Sequence, residues 1–386
     1  MIKKIPIVIV CIMIALSSVY VINNRDKILK KKTIEEKIII KDGIVSESIF
    51  KDYYNKASNI VSKMTLKEKV GQLFLVRYEK NDIEYLNNFY PGGYILFAKD
   101  FENNTKETMK KQLEGNQNTS KYPLIFGVDE EGGYVTRVSR FKAYRNEKFK
   151  SPKEYYEEGG YELLEKTEKE KAKLLKDLGI NLNLAPVADV STNENDFIYS
   201  RTFGYDAEKT SELITKMVEY SNENKINSTL KHFPGYGNNI DTHTGIALDE
   251  RKYSNFIKND YKPFEAGIKA GVPTVLVSHN VVNCLDDKYP ASLSKKVILE
   301  LREKLGFTGI IMTDDLAMSA VKSYVEDKKA ATMAINAGND MIITSDFMNM
   351  KNEIIESVNN KEIKEEIIDT AVTRIIAWKY YSGLMK

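Results

Sequence analysis

Residues 228–243 have the sequence Ser-Thr-Leu-Lys-His-Phe-Pro-Gly-Tyr-Gly-Asn-Asn-Ile-Asp-Thr-His, and this stretch indicates how the chain is organised. Its first three residues have the character of a strand end, and the proline and glycines that follow predict an irregular loop. Two of the three histidines of the protein, a lysine and an aspartate fall in this loop. Loops carried by a rigid scaffold often hold the chemistry of an enzyme, although a solvated Gly/Pro turn is the alternative interpretation.

The pattern of a short β-rich run followed by polar residues recurs along the chain. Several of these runs are almost continuously apolar, as expected of strands that are buried on both faces. Helical patterns such as Glu212–Asn224 and Val325–Ala337 separate them. Eight such units predict an α/β fold with a single (β/α)8 TIM-type barrel, although periodicity alone leaves a doubly wound sheet as an alternative. The runs are Leu73–Val76, Tyr94–Phe97, Leu124–Val128, Leu182–Val187, Thr229–Leu230, Thr274–Val277, Gly309–Met312 and Met341–Thr344.

Polar residues follow six of the eight runs. In a barrel, these positions would surround the C-terminal end of the strands, where barrel enzymes carry their active sites. A single aspartate at such a position is more often a helix N-cap, but six positions around one opening are difficult to explain as caps. The residues are Asp129, Asp189, Lys231-His232, His279, Asp314-Asp315 and Asp346.

The N-terminal part of the chain has a different character. Lys3 and Lys4 precede an apolar run from Ile5 to Ile22, so residues 1–22 are predicted to be a signal anchor or a signal peptide. We favour an uncleaved anchor because the apolar run continues beyond the small residues that could form a cleavage site. Export of the following domain is expected in either case. Residues 23–45 form a charged linker, and residues 46–386 form the predicted catalytic barrel.

The start of the barrel region has its own signals. Apolar residues from Ile49 to Met64 recur with the spacing of one helical face. Thr65-Leu66-Lys67-Glu68 then has the form of a capping box that opens a second helix. The first barrel strand is expected directly after this helix.

Composition excludes several classes of function. Apolar residues make up 42% and charged residues 29% of the chain, as in ordinary soluble globular domains. A formal net charge of only +2 gives no indication of a nucleic-acid-binding surface. The two cysteines, Cys11 and Cys284, do not form a disulfide framework, and no Cys/His cluster has metal-ligand spacing. We therefore expect neither a metal ion nor an organic cofactor.

A series of motifs from about Met64 to Leu384 is specific in number and order, and on these motifs the chain resembles glycoside hydrolase family 3. Within that family it is most similar to the β-N-acetylhexosaminidase subgroup, which acts on cell-wall sugars. The motifs are Met64–Leu73, Pro91–Phe97, Asp129-Glu130-Glu131-Gly132-Gly133 with Arg137, Arg201-Thr202-Phe203-Gly204, Lys231-His232-Phe233-Pro234-Gly235, Asp241-Thr242-His243, Pro290–Ser294, Gly306–Gly309 and Thr313–Met318.

The resemblance implies a role for each of several residues. Asp314 would be the nucleophile that forms a covalent glycosyl-enzyme intermediate. His243, held by Asp241, would be the acid/base, a role that suits imidazole because it titrates near neutral pH. His279 is expected to support the site rather than to act in catalysis. The sugar-binding positions of the family correspond to Asp129, Arg137, Arg201, Lys231 and His232.

The sequence departs from the family pattern at three positions of the site loops. Tyr236, Asn238 and Tyr134 stand where the family usually has histidine, aspartate and arginine. These changes bear on the hydrogen-bond network of the loops but remove none of the expected catalytic groups. The chain also ends soon after the barrel, so the site is expected to be completed from barrel loops alone.

The resemblance implies a retaining exo-β-N-acetylglucosaminidase that removes terminal N-acetylglucosamine from muropeptide-like glycans during peptidoglycan turnover. We expect a carbohydrate substrate, a membrane contact through the N-terminal segment, an extracytoplasmic location, no nucleic acid and a monomer. One alternative is a relative with another sugar preference, such as a β-glucosidase. Another alternative is a non-catalytic wall-binding barrel.

Overall fold

Runs of β-branched and aliphatic residues form eight parallel strands at the centre of the structure, a computed structural model. It describes residues 48–79, 83–239, 247–318, 321, 324, 325 and 329–386; the predicted signal segment and linker lie outside these ranges. The barrel strands are β1 (Phe74–Arg77), β2 (Gly93–Leu96), β3 (Ile125–Val128), β4 (Leu182–Asn183), β5 (Asn227–Phe233), β7 (Thr274–Val277), β9 (Ile310–Thr313) and β10 (Ile342–Thr344). The short strands β6 (Leu248–Asp249) and β8 (Val281–Val282) form a separate parallel pair.

The eight strands close into a ring in the order β10-β1-β2-β3-β4-β5-β7-β9. Closure comes from a parallel bridge between Met312 and Met341. The Thr313 amide donates to the Met341 carbonyl at 3.1 Å, which continues this contact between β9 and the start of β10. An open, doubly wound sheet would leave these edges unpaired, so the predicted barrel is confirmed.

Helices lie outside the ring, before β1, between successive strands and after β10. They are α1 (Tyr54–Val61), α2 (Leu66–Gln72), α3 (Ile83–Phe89), α4 (Ala98–Phe101), α5 (Lys106–Thr119), α6 (Pro152–Asp177), α7 (Ala207–Glu223), α8 (Tyr253–Asn255), α9 (Tyr261–Lys269), α10 (Lys295–Leu299), α11 (Ala330–Ala337), α12 (Phe347–Asn359) and α13 (Glu365–Tyr381). Among the described residues, none of these helices is both long and apolar enough to cross a membrane.

Two predicted helix signals are confirmed by their contacts. Thr65 accepts a hydrogen bond from the Glu68 amide at 3.3 Å, and Glu68 accepts one from the Thr65 amide at 2.8 Å, so the capping box opens α2 as expected. The apolar face predicted from Ile49 onward corresponds to α1, which buries Tyr54, Ala57 and Val61.

Several predicted boundaries differ from the structure, among them those of β4, β5 and α11. The predicted run Leu182–Val187 forms a regular strand only to Asn183, because Pro186 has no amide N–H to donate to a sheet. The predicted strand Thr229–Leu230 is longer and continues to Phe233. The helical pattern predicted over Val325–Ala337 corresponds to α11 (Ala330–Ala337), and Lys329, directly before it, is not helical.

The last helix, α13, covers the N-terminal end of the barrel. Trp378 is fully buried and its Nε1 donates to Asn227 Oδ1 at 2.9 Å, at the first residue of β5. Lys379 is also fully buried and its Nζ donates to Gln72 Oε1 at 2.6 Å, just before β1. Burial lowers the pKa of Lys379 from 10.5 to about 7, because the charged ammonium is separated from water.

This buried lysine leads to a prediction about stability. A lysine whose pKa is lower in the folded state binds fewer protons there, so stability should rise as the pH increases from about 7 to 10.5. Relative to Lys379→Met, the wild type should therefore gain on the order of 5 kcal/mol across this interval. Urea unfolding at several pH values measures the difference, with the exposed Lys173→Met as control. A difference that does not change with pH would contradict the prediction.

Candidate active site

The C-terminal ends of the strands carry four of the eight site residues predicted from the sequence. Asp129 directly follows β3 and Asp314 directly follows β9, and these two strands lie four positions apart in a ring of eight. The two aspartates therefore stand on opposite sides of one barrel opening. Lys231 and His232 belong to the end of β5, between them.

Two cations and two carboxylates form a network on the β3–β5 side of the opening. Lys231 Nζ lies 2.7 Å from Asp129 Oδ1 and 2.6 Å from Glu131 Oε1. Arg201 contacts both oxygens of Glu131, with Nη2 at 2.7 Å from Oε1 and Nε at 3.1 Å from Oε2. Lys231 and Glu131 are almost completely buried, whereas Asp129 and Arg201 retain some exposure. We call Asp129, Glu131, Arg201 and Lys231 the site-cation network. Its two partly exposed members, Asp129 and Arg201, are presented to the opening.

Burial and charge act in opposite directions on this network. Burial alone would raise the pKa of Glu131, but the charges of Arg201 and Lys231 hold that pKa far below its ordinary value. Burial opposes the charge of Arg201, yet the neighbouring Glu131 raises the pKa of the guanidinium above its ordinary value. The two cations therefore favour the ionised form of the Glu131 carboxylate, which in turn fixes both of them in place.

His232 is oriented by hydrogen bonds to both of its ring nitrogens. Asp189 Oδ2 accepts from the His232 backbone amide at 3.0 Å and lies 2.7 Å from Nδ1. Arg201 Nη2 lies 3.2 Å from Nε2. A carboxylate requires a donor at Nδ1 and a guanidinium requires an acceptor at Nε2, so these partners select the neutral tautomer with the proton on Nδ1.

The loop after β5 is fixed by buried acids and by close backbone approaches. The Tyr236 amide donates to the other oxygen of Asp189 at 2.7 Å. Gly235 has φ +122°, and a Cβ at this position would lie 2.3 Å from Asp260 Oδ1, so only glycine fits. Arg251 contacts Asp260 through Nη1 and the Gly235 carbonyl through Nη2. The loop is therefore held firmly up to Asn239, the last described residue before position 247.

Arg137 lies beside the site-cation network. The adjacent carboxylate of Glu130 is buried and accepts hydrogen bonds from the amides of Arg137, Val138 and Ser139. The Arg137 guanidinium lies 5.7 Å from the centre of the Phe97 ring, at the end of β2. Its Nε is buried without a hydrogen-bond partner among the described residues, the state of a donor that is available to a ligand.

The β9 end of the opening is ordered by backbone contacts. The Asp314 amide donates to the Val277 carbonyl at 3.0 Å, and Asp314 Oδ1 accepts from the Asp315 amide at 2.9 Å. Asp315 Oδ1 accepts from the amides of Ala317 and Ser345, so this carboxylate shapes the turn that follows. Asp314 therefore remains the candidate nucleophile on this side.

His279 supports that turn from behind. The buried imidazole has Nε2 at 3.0 Å from the Asp315 carbonyl and Nδ1 at 2.7 Å from Ser292 Oγ. A carbonyl only accepts, so Nε2 carries the proton and the Ser292 hydroxyl donates to Nδ1. This arrangement agrees with the supporting role expected for His279.

The predicted acid/base pair, Asp241 and His243, lies outside the described residues. The three departures from the family pattern are all described. Tyr236 is buried with its ring 5.3 Å from the His232 ring, whereas Asn238 and Tyr134 are exposed. Two residues that anchor the site are not among the predicted site residues. In the sequence, Glu131 stands out only as part of a motif and Asp189 only as a residue that follows a strand.

Comparison with known proteins agrees with this architecture. Residues 65–378 match the model of the glycosyl hydrolase family 3 N-terminal domain. The chain therefore belongs to glycosyl hydrolase family 3 and is a glycoside hydrolase. A β-hexosaminidase of Methylobacillus flagellatus is 28% identical over 291 residues, which cover 72% of this chain and 80% of that protein.

Two solved structures are similar as well. The family 3 β-N-acetylglucosaminidase from Paenibacillus sp. str. FPU-7 has a TM-score of 0.77 at 27% identity, and the alignment covers 83% of this chain and 63% of that one. The β-N-acetylhexosaminidase from Beutenbergia cavernae has a TM-score of 0.73 at 25% identity, and the alignment covers 82% of this chain and 99% of that one. The chain thus spans less than two thirds of the Paenibacillus enzyme and nearly all of the Beutenbergia enzyme.

The site-cation network leads to a second prediction. Glu131→Gln removes one buried negative charge and places an amide N–H opposite a cation, so about 3 kcal/mol of stability should be lost at pH 7. Because the pKa of Glu131 is lowered by folding, its contribution is present above about pH 4.5 and is lost as the pH falls below that value. Urea unfolding at pH 7 and pH 4 measures both effects.

The matched control for this prediction is Glu114→Gln, which removes one partner of an exposed pair with Lys110 at 3.7 Å. This change should cost less than about 0.5 kcal/mol at either pH. Equal effects of the two substitutions would show that Glu131 does not hold the network.

Proposed function

We propose that the chain is a retaining exo-β-N-acetylglucosaminidase that hydrolyses terminal β-linked N-acetylglucosamine from cell-wall glycans. The observation that carries the proposal is the placement of the site-cation network directly across the barrel opening from Asp314. Charged side chains on one side of the opening suit the hydroxyls of a sugar ring, because charge-assisted hydrogen bonds hold polyols strongly. A carboxylate on the other side suits attack on the anomeric carbon.

In the proposed first step, a sugar is bound by Asp129, Arg201 and Lys231, with His232 and Arg137 at its edge. Asp314 attacks the anomeric carbon and forms a C–O bond, while the bond to the leaving oxygen breaks. The leaving oxygen receives a proton from the imidazole of His243. Asp241 would stabilise the imidazolium and fix its tautomer before this transfer.

In the proposed second step, His243 acts as a base. It takes a proton from a water molecule, whose oxygen attacks the anomeric carbon and displaces the Asp314 carboxylate. The product keeps the original anomeric configuration, and both catalytic groups return to their starting protonation states. The step requires no metal or organic cofactor.

We further propose that the enzyme works outside the cytoplasm as a monomer, either anchored by residues 1–22 or released after their cleavage. The support comes from the sequence alone, in the two lysines and the apolar run at the N-terminus. A muropeptide-like glycan is the substrate that such a location would supply. Fractionation of cells that express the full chain tests the location.

The nucleophile is tested by Asp314→Asn. The amide cannot form the covalent ester, so kcat should fall by several orders of magnitude while the fold is retained. Mass spectrometry after incubation of the wild type with a 5-fluoro glycosyl donor should place the label on Asp314. Labelling of Asp315 or Asp129 instead would contradict the assignment.

The acid/base is tested by His243→Ala in a series of aryl N-acetylglucosaminides. A poor leaving group needs a proton from the enzyme and a good one does not, so kcat/KM should depend more steeply on the leaving group in this variant. Asp241→Asn should show a milder form of the same effect. An unchanged dependence in His243→Ala would show that another residue is the acid.

A further inference from the structure

An exposed aromatic residue, Phe197, lies on the segment that also carries Arg201. Its side chain is 40% exposed although it belongs to one of the largest apolar residue types. Single exposed apolar residues are common on protein surfaces and usually have no function. Phe197 differs from these because contacts connect it to the sugar-binding side of the barrel opening.

A chain of aromatic contacts leads from Phe197 to that side. The Phe197 ring centre lies 5.8 Å from the ring centre of Tyr236, at an interplanar angle of 46°. Tyr236 is buried, and its ring lies 5.3 Å from the imidazole of His232 in an edge-on arrangement. His232 in turn contacts Arg201 of the site-cation network. Phe197 therefore lies on the rim of the opening, supported by one of the three residues that depart from the family pattern.

The backbone on both sides of Phe197 is fixed. Before it, Asp196 accepts hydrogen bonds from Ser191 Oγ at 2.7 Å and from Asn193 Nδ2 at 3.2 Å. After it, Ile198 is fully buried, and its carbonyl accepts from the Arg201 amide at 2.9 Å. An exposed ring that is held in position loses little conformational entropy when a ligand packs against it.

The chemistry of an exo-acting glycosidase indicates what this ring would contact. The terminal sugar occupies the bottom of the opening, so the leaving sugar must lie at the rim. A pyranose ring exposes C–H groups on one face, and these pack favourably on the face of an aromatic ring. The segment from Ser191 to Arg201 would then contact both sugars, the terminal one through Arg201 and the leaving one through Phe197.

We infer that Phe197, supported by Tyr236, forms a binding site for the leaving sugar of a β-linked glycan. The inference rests on the proposed function and adds a preference for substrates in which the leaving group is itself a sugar ring. A substrate with a small leaving group would gain nothing from this residue.

Two substitutions distinguish the contribution of the aromatic face of Phe197 from that of its apolar character. Phe197→Leu keeps an apolar side chain on Tyr236 but removes the aromatic face, and Phe197→Trp keeps an aromatic face. For N,N′-diacetylchitobiose, kcat/KM should fall about ten-fold in Phe197→Leu and change little in Phe197→Trp. For β-N-acetylglucosaminyl azide, whose leaving group is small, both variants should equal the wild type.

Tyr381 offers a matched control at the opposite end of the barrel. It is 37% exposed, and its ring lies 5.3 Å from that of Phe50 at an angle of 58°. Tyr381→Leu should leave kcat/KM unchanged for both substrates. Thermal unfolding of all three variants shows whether any loss of activity follows a loss of fold.

Equal effects of Phe197→Leu on both substrates, or equal effects of leucine and tryptophan on the disaccharide, would overturn the inference. A wild type that cleaves neither substrate would contradict the proposed function instead. Calorimetric titration of Asp314→Asn with the disaccharide and with N-acetylglucosamine then tests the binding site independently. Adding Phe197→Leu to this variant should weaken binding of the disaccharide about ten-fold and leave that of the monosaccharide unchanged.

Discussion

The ion pairs of Glu131 with Lys231 and Arg201 are the interaction on which the candidate site depends. Two cations that approach each other around one buried carboxylate would repel strongly without it, and neither would remain in place for a ligand. The carboxylate holds Arg201, and the guanidinium of Arg201 donates a hydrogen bond to the acceptor nitrogen of His232. Asp189 contacts the other ring nitrogen of His232, and it also accepts a hydrogen bond from the amide of Tyr236 in the loop after β5. Each member thus limits the positions available to the next.

Charge balance explains why such a network is tolerated at a barrel opening. Asp129 and Glu131 offset Lys231 and Arg201, so the group carries no net charge. A buried cluster without net charge has a smaller desolvation penalty than the same groups would have separately. Asp129 Oδ1 contacts Lys231 while part of this side chain stays exposed, which allows it to bind a hydroxyl without disturbing the ion pair. The proposed contact with a sugar hydroxyl would therefore use atoms of Asp129 that the ion pair leaves exposed.

The sequence was sufficient to predict the barrel, because eight buried runs with intervening helical patterns have few other solutions. Polar residues at the strand ends also predicted where Asp129, Lys231 and Asp314 would lie.

The roles of Glu131 and Asp189 were not predictable in the same way, since their partners lie 43 to 100 residues away and no local pattern reports such pairs. Phe197 gave no signal either, because a single aromatic residue in an asparagine-rich loop has no periodicity. The apolar character of the run Leu182–Val187 predicted a longer strand. Pro186 has no amide N–H to donate to the sheet, and β4 is therefore shorter.

The contacts of α13 have a consequence for biosynthesis. Trp378 and Lys379 bond to residues 151 and 307 positions earlier in the chain, at the starts of β5 and β1. A nascent chain from which α13 has not yet emerged leaves both strand ends uncovered and the buried polar atoms of Asn227 and Gln72 short of partners. The ring therefore reaches its final form only after almost the whole chain has left the ribosome. Until then the exposed apolar strands depend on protection from premature association, for example by a chaperone.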